Sequence, residues 1–461
     1  MKDTKYTSAY ELEGRIPLGE AVLLGLQHVL AMFAGNLTPI LLITEACGIA
    51  SGDALQVAIL QNAMFIAGLV TLIQLFTLGP IGGRLPIVMG TSSGFIGVAR
   101  GAVATMGGGL AAYGAILGAS LLGGLFETVL GFFLKPLRKF FPSVVTGTVV
   151  MSIGLSLISV GIESFGGGKA KGDYGSWQNL MVGCIVLLVI VILKHYTKGI
   201  TSVSSILIGI VVGYIVCAIM GMVLPTTYIN AEGVETTCSW VLNWGKVASA
   251  GLFSVPKLFP VPLVFDLKVI IPVGIMFIVT AVETMGDTSA IVEGGLGREA
   301  TDKELSGSVI CDGVGSSVAS FFGVLPNTSF SQNVGLVGMT KVVNLFAIST
   351  GAIFLILCGL FPKLAALISI MPSSVLGGAA VMMFASIVVS GIQLITRDGV
   401  TPRTVTIVSV ALGLGYGVGA NSDILSHMPQ VVQLIFGGSG IVPAALIALV
   451  LNIFIAKDEA Q

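Results

Sequence analysis

Two carboxylates stand four residues apart in an otherwise apolar stretch, Ala281-Val282-Glu283-Thr284-Met285-Gly286-Asp287-Thr288. On a helix that spacing turns both toward one face. Ionisable groups within apolar segments are costly and face a cavity or a partner. Two like charges in a low-dielectric setting cannot both stay ionised cheaply, so one of the pair is suited to carry a proton. The plainer alternative is a pair tied down by backbone amides, or one residue at a helix end. Asp312, in Ile310-Cys311-Asp312-Gly313, is a further acid in an apolar run and either relays protons or bridges helices.

Amides and hydroxyls cluster elsewhere. Ser331-Gln332-Asn333 brings two primary amides together, and an amide offers both donors and acceptors. That suits a planar heterocycle with alternating N–H and C=O edges and is a poor choice for an inorganic anion; the alternative is that these amides tie down local backbone. Gln27 and His28 lie within the first apolar segment, where a histidine more often bonds a neighbouring helix than a ligand. Thr91, Ser92 and Ser93 either complete a pocket or cap a short helix.

The elements that must hold these residues are unusual. Leu85–Phe95 and Leu325–Gly335 are short, polar and glycine-broken, and each follows two apolar segments in its own half of the chain. Broken segments at corresponding places in two halves point to a transporter's binding site. Irregular backbone at membrane depth persists only when buried in protein or lining a cavity.

Taking about 17–25 apolar residues as one span, the first half divides into 18–45, 53–78, 83–99, 110–134, 142–162, 178–195 and 201–224. After a polar loop with Trp240 and Trp244, the second divides into 268–292, 304–323, 326–340, 342–360, 365–390, 401–420 and 440–456. An odd number per half makes the second enter the membrane in the opposite sense, so repeats would be inverted. With the N-terminus inside, fifteen of the 22 lysines and arginines, Lys2, Lys5, Arg138, Lys139 and Lys457 among them, fall on the cytoplasmic side, the direction of the positive-inside rule.

Composition agrees. The 461 residues are 54% hydrophobic and 10% charged, with mean hydropathy +1.00, against about 25% charged residues in a soluble domain. The net charge of −1 and the lack of a basic patch argue against nucleic acid. Three histidines make a histidine-rich metal site unpromising, and no cofactor is expected. The six cysteines form no C-x-x-C pair and read as small buried hydrophobes. The apolar run from Ala21 lacks a small-residue cleavage site, so a retained first helix is expected. Gly295-Leu296-Gly297 and Gly413-Leu414-Gly415 lack the βαβ context of a phosphate loop. Asn36-Leu37-Thr38 and Asn327-Thr328-Ser329 match the glycosylation triplet but read as coincidences inside membrane segments.

Gln332-Asn333-Val334-Gly335-Leu336-Val337-Gly338-Met339-Thr340-Lys341 matches every defined position of [Q/E/P]-N-x-G-x-x-x-x-T-[R/K/G]. With it the chain resembles the nucleobase–ascorbate transporter family, also called nucleobase:cation symporter 2. Gly25-Leu26-Gln27-His28-Val29 resembles the family's first-segment motif, and Glu283 to Asp287 its eighth-segment acidic motif.

The resemblance implies an all-α polytopic membrane protein of fourteen segments in two inverted seven-segment repeats, with short strands in broken segments 3 and 10. A core domain would comprise 18–134 and 268–360, and a gate domain 135–224 and 361–456. An extracytoplasmic loop would span 225–267, with cytoplasmic tails at 1–17 and 457–461. It further implies a homodimer in the cell membrane, moving substrate by an elevator-like shift of core against gate. Glu283 and Gln332 would bond the base, with Ser331, Ser92 and Ser93 beside it. Gln27, His28, Asp287, Asp312 and Asn333 would organise or couple the site.

Glutamine at 332 resembles the xanthine and uric acid branch, where uracil carriers typically have glutamate. Many members carry an aromatic residue where this chain has Ser93; the nearest here is Phe95. The leading expectation is a proton-coupled symporter for xanthine or uric acid, with Na⁺ as the other possible driving ion. Its alternatives are a uracil or other nucleobase carrier and, from a different class, a channel or non-transporting receptor. Glu283 beside Gln332 argues against the related anion exchangers. No H-E-x-x-H or G-x-S-x-G motif supports an enzyme.

Overall fold

The computed structural model describes residues 6–137, 140–169, 171–229, 234–397, 399–437 and 440–455. The predicted tail at 457–461 and the charges of Lys2, Lys5, Arg138, Lys139 and Lys457 lie outside the described residues.

The first half contains α1 (Leu18–Ala46), α2 (Ala54–Phe76), the strand β1 (Met89–Thr91), α3 (Ile96–Met106), α4 (Gly109–Phe132), α5 (Leu134–Leu137), α6 (Ser143–Phe165), α7 (Trp177–Tyr196), α8 (Ile200–Val203) and α9 (Ser205–Val223). A hairpin of β2 (Thr227–Ile229) and β3 (Glu235–Thr237) and the short α10 (Trp244–Ser249) follow. The second half contains α11 (Leu267–Ile291), α12 (Asp302–Phe321), β4 (Asn327–Ser329), α13 (Ser331–Thr340), α14 (Leu345–Cys358), α15 (Pro362–Ser369), α16 (Ser373–Thr396), α17 (Pro402–Ala420), α18 (Gln430–Gly437) and α19 (Ile441–Phe454).

Among the described residues nine helices are long and apolar enough to cross a membrane, or ten if α14 and α15, bent by 83° at Gly359–Phe361, form one span. That is fewer than the fourteen expected, for physical reasons. α3 and α13 are half-helices behind strands, α12 is loaded with serines and acids, and α19 has only 14 residues. The segment expected at 365–390 is also divided: α15 ends at Ser369, and α16 begins after Pro372, which cannot continue the preceding helix. The helix expected to end at residue 99 runs on to Met106 and stops at Gly107, which adopts the left-handed conformation of a helix C-terminus.

Helix starts follow local chemistry. Asp53 caps α2 by accepting from Leu55 N–H (2.8 Å) and Asn344 caps α14 through Ala347 N–H (3.0 Å). Thr301 and Glu304 form a reciprocal capping box at α12.

Two groups of helices result. In one, α1 and α2 pack on α14 and α4 packs on α11 and α12, around β1 and β4. In the other, α6 lies along α16, α7 along α16 and α9, and α17 along α19. Without a hydrophobic force between helices in lipid, small residues permit close packing. A Cβ on Gly25 would lie 2.4 Å from Ala347 O, and one on Gly124 would lie 2.5 Å from Gly313 O.

The 225–267 loop is strapped down by buried amides. Gln61 Nε2 donates to Ser254 O (2.7 Å), and Asn62 donates to Lys257 O (2.8 Å) and Phe322 O (2.7 Å). All six cysteines are free, and Cys184 lies exposed on α7 instead of buried, whereas Cys47, Cys217, Cys311 and Cys358 are buried.

Candidate functional site

β1 and β4 pair antiparallel with Gly90 opposite Thr328. Ser92 N–H donates to Pro326 O (2.8 Å) and Phe330 N–H to Val88 O (3.1 Å), closing the ends of the ladder. A two-stranded pair leaves its outer edges unpaired, and buried backbone groups need partners. Side chains supply them. Thr91 N–H donates to Asn36 Oδ1 (2.8 Å), and Met89 N–H to Thr71 Oγ1 (3.0 Å). Ser316 serves Asn327 twice, accepting from its N–H (3.0 Å) and donating to its carbonyl (3.1 Å).

Each strand leads into a half-helix, and because the strands are antiparallel the half-helices leave in opposite directions. Their N-termini converge on the crossing point, where free N–H groups and aligned peptide dipoles favour negative charge. Asp287 exploits one of them. Its carboxylate accepts from Ser329 Oγ (2.8 Å) and from Ser331 Oγ (2.9 Å to each oxygen) at the start of α13. Asp312 accepts from Thr284 and from Thr328 (3.2 Å) through one oxygen, while Oδ1 has no partner among the described residues.

Glu283 differs. It is buried, its Oε2 has no hydrogen-bond partner among the described residues, and it lines a small chamber with Gln332, Ser331, Ser93 and Phe330. Ile153 of α6 and Ile387 of α16 close the chamber from the other helix group. Its volume is about 20 Å³, room for a water-sized group and far below the 300 Å³ or more of a small-molecule pocket. Two larger cavities lie between the helices, the first adjoining the chamber at Ser331 and Gln332. One of about 420 Å³ runs from Gln332 between α13 and α16, past Ser386, Ser390 and Gln393 to Lys194. The other, of about 460 Å³, lies between α3 and α18 and is lined by Thr105, Lys268, Asp423 and Gln433.

The other predicted residues sit behind the chamber. Asn333 Nδ2 donates to His28 O (3.0 Å) and lies 3.1 Å from His28 Nδ1. The first contact requires the amide nitrogen at that place, so Nδ1 accepts and the ring carries its proton on Nε2. Gln27 is buried on α1 and does not line the chamber. Ser92 caps the first half-helix by accepting from Gly94 N–H (3.2 Å) and does not line the chamber, whereas Ser93 does. Phe95, the aromatic nearest Ser93 in sequence, is turned away onto Phe277 with ring centroids 4.7 Å apart.

Three features escaped the sequence reading. Phe330 is the aromatic at the chamber, its ring seated where a Cβ on Gly35 or Gly90 would come within 2.8 Å. Asn36 holds the strand edge, although its glycosylation triplet reads as coincidence. Glu127, on α4, is fully buried and accepts from Thr280 Oγ1 (3.2 Å). The signal for Glu127 was present: it is an acid inside an apolar segment, the criterion that singled out Asp312.

Paired half-helices behind crossing strands, in a chain of many apolar helices, define a multi-pass membrane transport protein. Solved structures share this fold: the transmembrane domain of a cyanobacterium bicarbonate transporter, BicA, aligns over 95% of this chain and 98% of its own with TM-score 0.56 at 14% identity. SLC26A9 aligns over 96% of this chain and 66% of its own with TM-score 0.56 at 13% identity. At such identities the likeness is one of fold alone.

Sequence is more specific. The Permease family model (Xan_ur_permease) matches residues 19–424. The uric acid transporter UacT of Escherichia coli (strain K12) is 34% identical over 447 residues, 96% of this chain and 88% of UacT. The xanthine permease XanP of the same strain is 31% identical over 460 residues, 98% of this chain and 95% of XanP. The chain belongs to the nucleobase–ascorbate transporter family and is a permease, not an enzyme.

Proposed function

We propose that this protein is a proton-coupled symporter that imports a purine base, xanthine or uric acid, across the cell membrane. The carrying observation is the chamber at the joint of two half-helices, lined both by Gln332 and by Glu283, whose Oε2 has no hydrogen-bond partner among the described residues. A purine oxo-base presents alternating N–H and C=O groups in one plane. Glu283 accepts from a ring N–H, Gln332 donates to a carbonyl and accepts from a neighbouring N–H, and Phe330 offers an apolar ring beside the base. The substrates named for UacT and XanP support the same class.

Coupling follows from the charge environment. Among the described residues no lysine or arginine is buried, so a second negative charge beside Asp287 is costly. Glu283 takes its proton from the side that supplies substrate and returns it where substrate is released. The helices α1–α4 and α11–α14 form a core that carries the site; α6, α7, α9, α16, α17 and α19 form a gate. We read the chain as fourteen segments in two inverted repeats, working as a homodimer with both termini cytoplasmic. In that orientation the 420 Å³ cavity beside Gln332 opens inward, and an elevator-like slide of core past Ile153 and Ile387 exchanges it for the outer one.

The test is uptake of labelled xanthine in cells lacking their own purine carriers, with and without a proton uncoupler, competed by uric acid, hypoxanthine and uracil. Uncoupler-sensitive uptake competed by xanthine or urate is expected, and Glu283→Gln should abolish accumulation while the protein still inserts. Preference for uracil, or accumulation at the normal rate in the Glu283→Gln variant, would overturn the reading.

A further inference from the structure

The loop expected at 225–267 divides in composition. Residues 251–265 carry one charge, Lys257, and one hydroxyl, Ser254; the rest are glycine, proline and apolar residues. They form neither helix nor strand. Leu252, Phe253, Val255, Leu258, Phe259 and Phe265 are each more than half exposed. So many large apolar side chains in one short segment make a patch that water-facing surfaces rarely carry.

The backbone of the segment is bonded inward. Ser254 N–H donates to Leu360 O (3.1 Å), Lys257 N–H to Asn62 Oδ1 (3.1 Å), Phe259 N–H to Phe321 O (2.7 Å) and Val264 N–H to Gly114 O (3.0 Å). Two of its carbonyls are met by buried amides of α2, Ser254 O by Gln61 and Lys257 O by Asn62. Pro256, Pro260 and Pro262 bring no N–H that needs a partner. A loop in water has no such need, because solvent serves its polar groups, whereas non-helical backbone at membrane depth must be bonded into protein. Phe259 is held in the left-handed region at φ 50°, rare for a bulky residue. Its ring meets Phe321 edge-on with centroids 5.5 Å apart.

Depth follows from the helices that the segment crosses. α1 ends, and α2 and α4 begin, at one end of the molecule, where Gly109 N–H donates to Cys47 O (3.0 Å) and the exposed Asp53 caps α2. At 1.5 Å per residue, Gln61 lies about 12 Å below Asp53 along α2. On α4 an added Cβ would collide with Pro262 O at Gly114 and with Val264 O at Gly118, about 8 and 14 Å below the start of the helix. The headgroup layer is roughly 5–8 Å thick on each side of the hydrocarbon. Both helices therefore set the segment at the edge of the hydrocarbon.

We infer that residues 251–265 lie beneath the lipid headgroups as an apolar girdle whose partner is the acyl chains of phospholipid. The girdle runs from the joint of α14 and α15 past α2 and the end of α12 to α4. A second copy of the chain would cover one part of that arc, whereas lipid covers all of it. Lys257, the one charge, is exposed and has a stem long enough to extend its ammonium toward the headgroup phosphates.

The test uses the native protein in phosphatidylcholine vesicles that contain a phosphatidylcholine with a photoactivatable diazirine on its acyl chain. Labelled residues are mapped by mass spectrometry, and a parallel sample is oxidised by hydroxyl radicals generated in the water. Ile215 and Ile219, exposed on the apolar helix α9, report lipid contact, and Tyr10, exposed in the N-terminal segment, reports water. Residues 251–265 should take acyl label as Ile215 and Ile219 do and lose oxidation relative to Tyr10, each normalised to the denatured chain. Oxidation comparable to that of Tyr10, with or without acyl label, would overturn the inference and return the segment to water. Protection from both reagents would overturn it too, and would mean that protein, in the form of a second copy, covers the girdle.

Discussion

Replacing Asn36 by leucine tests whether side chains really carry the crossing strands. Asn36 Oδ1 is the acceptor for Thr91 N–H at 2.8 Å, and both residues are 1% exposed. Leucine keeps the branched shape of asparagine with two methyls in place of the oxygen and nitrogen, and the amide of Thr91 is left without an acceptor where water does not reach. An unsatisfied buried donor costs about 1–3 kcal/mol, which is about 5- to 150-fold in the equilibrium between a seated and a loosened β1. Loosening β1 displaces Ser93 and the N-terminus of its half-helix, both at the chamber. Xanthine uptake by Asn36→Leu should therefore show KM raised by about fivefold or more, with purified protein melting a few degrees lower. Asn36 Nδ2 has no partner among the described residues, so the bond to Thr91 N–H is the one that Asn36→Leu removes. Native KM and melting temperature in Asn36→Leu would refute the claim that this amide seats the strand.

Other outcomes follow from the same geometry. Gln332→Glu should weaken xanthine by about tenfold or more, by replacing a donor–acceptor edge with acceptors alone, and raise the preference for uracil; competition assays with unchanged selectivity would remove Gln332 from base reading. Gly124→Val should cost about 1–3 kcal/mol, because its Cβ would meet Gly313 O at 2.5 Å, whereas Gly221→Ala, with nothing within 4 Å, should leave the melting temperature unchanged or higher. Arg397 and Glu293 join α16 to the turn after α11, with side chains 33% and 32% exposed. Such a pair contributes about 0–1 kcal/mol, so Arg397→Ala should change uptake by less than about fivefold; a larger loss would mean that the pair governs the slide between helix groups.

The sequence made some of this legible and hid the rest for identifiable reasons. The broken stretches were readable because polar, glycine-rich residues cannot form ordinary spans, and β1 and β4 lie within them. Glu283 and Gln332 were readable because charge and amides are rare in apolar segments, and they line one chamber. Ser92 and Ser93 are chemically identical neighbours, and only the turn into the half-helix decides that Ser92 caps Gly94 while Ser93 faces the chamber. Phe330 was hidden because an aromatic in an apolar run signals nothing by itself. It reaches the chamber from the partner broken segment, whereas Phe95, the nearer candidate in sequence, packs on Phe277. The glycosylation-like triplets conceal the same lesson. Asn36 accepts from β1, and Thr328 and Ser329 donate to Asp312 and Asp287. Other bonds join the two halves: Phe330 N–H donates to Val88 O, 242 positions away, and Asn333 Nδ2 to His28 O, 305 positions away. A site formed where two halves cross cannot be assembled from spacing along either half, because its partners are fixed by the crossing and not by the chain between them.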